Sequence, residues 1–233
     1  MDKRIEIVYE DDALIVCHKY PGIAVQTASF GQADMVSELK KYLVQQGGSP
    51  YLAVVHRLDQ PVEGLLVFAK TEAAAASLSK QVQKTDSIGF TKEYTAIVYG
   101  KMPKSAGELT DYLLKDGRSN TSRVVSEKEK GSKRAHLTYE VIAEDGLTQT
   151  LRICLTTGRH HQIRVQLSNA GCPILGDARY GTEEAKQYAA QRGIKWIRLC
   201  ASRLEFTHPV SGKVYSSSLP SPWGEGGRRP DEG

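Results

Sequence analysis

No stretch of this 233-residue chain is apolar for long enough to cross a bilayer. The most continuous run, Gly64 to Ala69, is six residues, and a spanning helix needs roughly 20. The N-terminal MDKRIEIVYEDD is charged and lacks the apolar centre of a signal peptide. The four cysteines (Cys17, Cys154, Cys172, Cys200) lie far apart and form no Cys-x-x-Cys pair. That argues against a disulfide framework or zinc ribbon and for buried thiols in a reducing cytoplasm. No repeat of solenoid type is present.

The remainder is an ordinary soluble composition, 40% hydrophobic and 25% charged. The length suits one domain, or two small lobes sharing a core. Such a chain buries roughly 70% of its unfolded surface and needs no metal or disulfide staple. The net charge of +4 is too mild to name a polyanion partner. Its distribution says more: Lys115 to Arg134 holds seven basic and three acidic residues, so this segment equals the whole excess. It reads either as a surface for a polyanion or as a solvated loop.

Residues 4–9 and 13–18 alternate around an acidic turn, as in a hairpin. Asp34 is placed to N-cap a helix with Met35, Val36, Leu39 and Leu43 on one face and Gly47 past its end. Leu52–Val55 and Leu65–Phe68 read as buried strands. Thr71 can cap an alanine-rich helix to about Val82. Glu93–Tyr99, Ala135–Ile142 and Gln149–Leu155 alternate again. After His160 the period turns helical, with Gly171 as C′ residue. Strands without regular helix alternation predict an α+β fold, a largely antiparallel mixed sheet flanked by helices and loops. The last eighteen residues, rich in proline and glycine, predict a mobile tail.

Two segments carry chemistry. His56-Arg57-Leu58-Asp59-Gln60-Pro61-Val62-Glu63-Gly64 is a polar cluster between apolar strands, and a carboxylate there needs compensation. Asp59 is either a turn cap or a functional group. Thr156 through Leu167 is a strand end, a glycine turn and a helix start, dense in donors. Its adjacent histidines, His160 and His161, fall on different helix faces and lack a nearby carboxylate, so no metal site is expected. Arg164, at the edge of a buried face, calls for a carboxylate partner.

Together these segments resemble the RluA-type family of RNA pseudouridine synthases. The marks are HRLDQPVEGLLVFAK (residues 56–70), Lys92-Glu93-Tyr94, Gly158-Arg159-His160-His161-Gln162-Ile163-Arg164, Gly171 through Gly181, and His208-Pro209. They stand in family order. The resemblance implies one catalytic domain over 1–220, with 221–233 a flexible tail. It implies a monomer that takes structured RNA (ribosomal favoured, transfer possible), with no membrane, metal or cofactor. Asp59 matches the essential aspartate, Tyr94 the residue stacking on the target base, and Arg164 the arginine paired with the aspartate. Arg57 matches an arginine that fills the gap left by the flipped uridine. His56, Arg159, His161 and Gln162 are expected to touch RNA. Leu65 and Ile163 are expected as pocket walls. Lys128, Lys130, Lys133 and Arg134 are expected on the RNA backbone.

The chemistry suits these groups. Uracil N1 leaves C1′ and C5 takes its place, with no net oxidation. The base must leave the stack, and one carboxylate can act as nucleophile or base. A neighbouring arginine keeps it ionised. The departure from the family is Gln60-Pro61-Val62-Glu63, where Glu63 is expected to repel a phosphate. No S4-type RNA-binding domain is expected ahead of the motifs. Competing readings are an inactive RNA-binding protein and a glycosidase, which would want a second carboxylate to activate water.

Overall fold

The computed structural model describes residues 1–27, 31–83, 89–220 and Trp223. In chain order the elements are β1 (Ile5–Glu10), β2 (Leu14–Lys19), α1 (Met35–Gln45), β3 (Ala53–Val54), β4 (Glu63–Ala69), α2 (Glu72–Gln83), β5 (Phe90–Tyr99), β6 (Ala106–Asp116), β7 (Thr121–Val125), β8 (Lys133–Asp145), β9 (Thr148–Leu155), α3 (Gln162–Asn169), α4 (Glu183–Gln191), β10 (Leu199–Thr207) and β11 (Val214–Ser218). This is an α+β fold. Two compact units comprise Met1–Lys92 with Ala201–Pro220, and Glu93–Cys200 with Ser221–Gly233.

In the first unit the strands run β1-β2-β4-β10, with β3 on β4 and β11 on β10. Asp11 closes the first hairpin, accepting from the Ala13 and Leu14 N–H groups at 2.8 and 2.9 Å. The α1 expectation holds: Asp34 accepts from Ser37 N–H at 2.7 Å, and Met35, Val36, Leu39 and Leu43 are buried. All seven residues of β4 are buried, because β2 pairs along it and α2 packs Ala74 and Leu78 into the cluster of Leu65, Val67, Leu204 and Phe206. The other expected buried strand, Leu52–Val55, is only a two-residue, half-buried pairing at Ala53–Val54.

Gly64 permits the close approach of β10. Its φ is +138°, and a Cβ there would sit 2.5 Å from both the Cβ and the N of Ala201. Gly64→Ala is therefore expected to cost roughly 2–4 kcal/mol, from overlap plus backbone strain. A urea midpoint within error of the parent would refute this packing.

In the second unit the strands run β5-β9-β8-β6-β7, each neighbouring pair antiparallel. α3 lays Val165 on Leu113 and Ala135 of β6 and β8. The basic segment Lys115–Arg134 is not a loop throughout. It comprises the end of β6, all of β7 and the start of β8, with a turn at Gly117–Asn120. β6, β7, β10 and α4 were not expected from sequence, whereas β11 is the strand expected after His208-Pro209. Of the expected tail 221–233, all but Trp223 lies outside the described residues. Trp223 is 1% exposed, with the Arg198 guanidinium 6.0 Å from its ring.

Candidate active site

In the first unit, Asp59 is half-buried on the turn leading into β4. The turn closes through Val62 N–H to the Asp59 carbonyl at 3.0 Å. It is tied down by Lys19, whose side chain reaches inward from the end of β2. Lys19 is 0% exposed. Its ammonium donates to the carbonyls of Val62 (2.6 Å), Gln60 (2.9 Å) and Tyr20 (3.3 Å). Three carbonyl dipoles replace the water that a buried ammonium loses. The Gln60 carbonyl also accepts from Gly22 N–H at 2.9 Å. Nothing in the residue pattern singled out Lys19; its position just before Tyr20-Pro21-Gly22 was the available signal.

Two first-unit expectations change. Glu63 is 2% exposed at its side chain and meets His18 Nε2 at 2.9 Å, so it faces the interior and does not repel a phosphate. His56, expected on RNA, is also buried. Its Nε2 faces the Val67 N–H at 3.4 Å and its ring meets Phe90 edge-on at 5.3 Å. Desolvation, helped by the charge of Lys92, pushes its pKa well below the ordinary value, so the imidazole is neutral at physiological pH. Burial likewise lowers the pKa of Lys92. Arg57 is exposed, and Leu65 belongs to the apolar core.

In the second unit, Tyr94 is buried on β5 and Ile163 on α3. Arg164 follows Ile163 and is clamped by Asp177, Nε to Oδ2 and Nη2 to Oδ1, both at 2.8 Å. The two side chains are 4% and 1% exposed. Asp177 Oδ1 also accepts from the Arg179 and Tyr180 N–H groups at 3.0 and 3.2 Å. The partner expected for Arg164 was Asp59; within the second unit Arg164 is paired with Asp177, an acidic residue in the glycine-rich stretch 171–181.

The turn before α3 is built from the donors seen in the sequence. Gln162, expected on RNA, is 3% exposed. Its Oε1 accepts from Thr157 Oγ1 and Arg159 N–H, and its Nε2 donates to the His136 carbonyl. It therefore holds the turn. Arg159 donates from Nε to the Arg134 carbonyl at 2.9 Å, setting it beside β8. His160 and His161 do not fall on different helix faces. Both precede α3, their rings stacked 3.8 Å apart, with His161 in the left-handed region at φ +55°. Lys128, Lys130, Lys133 and Arg134 are exposed along the β7–β8 connection and the start of β8. Among the described residues, no group of three or more His, Cys, Asp or Glu side chains could hold a metal ion, and no helix is long and apolar enough to cross a membrane.

The sequence pattern of the family described as RNA pseudouridylate synthase matches residues 13–169. The chain belongs to this family. Two relatives carry its RluA-type branch. Ribosomal large subunit pseudouridine synthase C of Salmonella typhimurium is 33% identical over 216 residues, 92% of this chain and 66% of the relative. Ribosomal large subunit pseudouridine synthase D of Vibrio cholerae is 36% identical over 232 residues, 95% of this chain and 68% of the relative. The chain thus spans about two-thirds of the length of these curated relatives. Human RNA pseudouridylate synthase domain containing 1 shares the pseudouridine synthase fold, with a TM-score of 0.75 at 22% identity, over 94% of this chain and 84% of that one.

Proposed function

We propose that this chain isomerises specific uridines of structured RNA to pseudouridine, with Asp59 as the essential carboxylate. Family membership supports the reaction class, and the relatives' names favour ribosomal RNA over transfer RNA. The observation that carries the assignment to this chain is the Asp59 turn, whose backbone Lys19 holds from below. Tyr94 supplies the aromatic face for the flipped base, a contact worth roughly 1–3 kcal/mol. Arg164 supplies the cation, and exposed Arg57 occupies the place the uridine leaves. The protein works as a cytoplasmic monomer, and 1–220 forms the catalytic part.

The test is base-resolved pseudouridine mapping of RNA from a deletion strain, complemented with the parent gene or with Asp59→Asn. One or more uridines should lose modification on deletion and regain it only with the parent. Unchanged maps for both ribosomal and transfer RNA would overturn the proposal.

The exposed cations of the β7–β8 connection bind phosphate. Neutralising Lys128, Lys130, Lys133 and Arg134 together should weaken RNA binding and flatten its salt dependence, by about 0.7–0.9 in log–log slope per lost contact. Turnover at saturating RNA should change little. An unaltered slope would leave these residues as solvated surface.

A further inference from the structure

The C-terminal end of α4 and the turn after it carry a surface that the proposed chemistry does not use. From Ala185 to Trp196 the chain has three basic residues and no acidic one. Arg192, Lys195 and Trp196 are all exposed. Among the described residues, no ion pair joins Arg192 or Lys195 to a carboxylate. Of the two tryptophans, Trp196 is 39% exposed and Trp223 is 1% exposed. A lone exposed aromatic is ordinary surface, but here the surrounding structure fixes it.

Gly193, at φ +67°, ends the helix. Ile194 N–H then returns to the Ala189 carbonyl at 2.9 Å, the hydrogen bond that seals a Schellman turn. The chain next lies against Gly176, where a Cβ would overlap the Trp196 carbonyl oxygen. Ile197 is buried, and Arg198 N–H donates to the Leu175 carbonyl at 2.8 Å. The backbone that carries Trp196 is therefore held before and after it. Arg192 is ordered by a ring rather than by a carboxylate. Its guanidinium carbon lies 3.7 Å from the Tyr188 centroid, and the Tyr99 ring backs Tyr188 at 5.2 Å. Stacked in this way, the guanidinium keeps its charge and its donors for an incoming anion. Gly176, against which Trp196 rests, directly precedes Asp177, the clamp of Arg164.

A fixed indole and two uncompensated cations stand within five residues. An apolar partner would leave the cations unused, and a polyanion without bases would leave the indole unused. Single-stranded nucleic acid uses both. We propose that this surface takes an unpaired nucleotide of the RNA outside the reacting uridine: its base stacks on Trp196, and flanking phosphates meet Arg192 and Lys195. The proposal rests on the reading of the chain as an enzyme of structured RNA.

Oligouridine is the probe, followed by tryptophan emission. Acrylamide should quench Trp196 selectively in the free protein, because Trp223 is buried. Oligouridine should shield Trp196 from acrylamide. Inorganic polyphosphate, which has the charge and no base, should leave it accessible. No shielding by oligouridine, or equal shielding by polyphosphate, would overturn the proposal.

Variants at position 196 separate stacking from bulk. Trp196→Phe keeps an aromatic face and should bind oligouridine within about threefold of the parent. Trp196→Leu keeps apolar bulk alone and should bind roughly five- to tenfold more weakly, with its salt slope unchanged because no charge is lost. A leucine variant that binds as well as the phenylalanine variant would refute stacking. Arg192→Gln with Lys195→Gln should flatten the log–log salt slope by about 0.7 for each lost phosphate contact, and an unaltered slope would refute the phosphate contacts. Failure of the parent protein to modify any RNA would count against the proposed function and leave the oligouridine results to decide this surface. A parent that modifies RNA while Trp196 stays unshielded would refute the surface alone.

Discussion

Asp59→Asn is expected to abolish pseudouridine formation while RNA affinity stays within about threefold. The substitution is nearly isosteric, so the turn closed by Val62 N–H and tied by Lys19 has no reason to move. What disappears is the negative charge, and with it the capacity to attack carbon or take a sugar proton. Affinity comes mainly from many phosphate contacts, of which this carboxylate is not one. Rate under single turnover and affinity by filter binding separate the two effects. A residual rate above about 5% of the parent would remove Asp59 from the chemistry.

The second large effect is expected at Asp177. Removing it leaves the Arg164 guanidinium in a setting where the side chain is 4% exposed, without its bidentate carboxylate. Losing one partner of a buried pair costs roughly 3–5 kcal/mol, so Asp177→Ala should melt at a much lower urea concentration and lose activity. Replacing both members by apolar residues, Arg164→Met with Asp177→Leu, should recover much of the stability and none of the activity. If the two substitutions were simply additive in urea, the clamp would contribute nothing to the fold.

These two carboxylates differ in how legible they are. Asp59 stands in a polar cluster between apolar runs, and its segment carries a family pattern. Asp177 also stands in a stretch of the family pattern, but its pairing with Arg164 becomes visible only once residues 171–181 fold back to α3, because a contact between positions 164 and 177 has no periodic signature. The elements read correctly are those whose signals are local: Asp11 at its hairpin, Asp34 at its helix, the apolar run of β4. The elements missed have mixed signals. β6 and β7 carry polar, half-exposed residues that mask alternation, and their charge suggested a loop. Gln162 and His56 were expected on RNA because polar side chains in a motif invite a functional reading. Burial assigns Gln162 to the scaffold of the turn and His56 to the interior of the first unit.

The way Lys19 grips the turn after Asp59 bears on how that turn can evolve. Its ammonium reads peptide carbonyls, and every residue type offers the same carbonyl. The side chains at positions 60 and 61, neither of them buried, can therefore vary, and a proline can stand at 61, without loosening the turn that carries Asp59, whereas Val62 is 2% exposed and is held by its own packing. The residue that cannot drift is the anchor itself. A shortened or branched side chain at position 19 would cancel the tolerance of positions 60 and 61 at once, so substitutions harmless in this chain should turn damaging in a Lys19→Ala background.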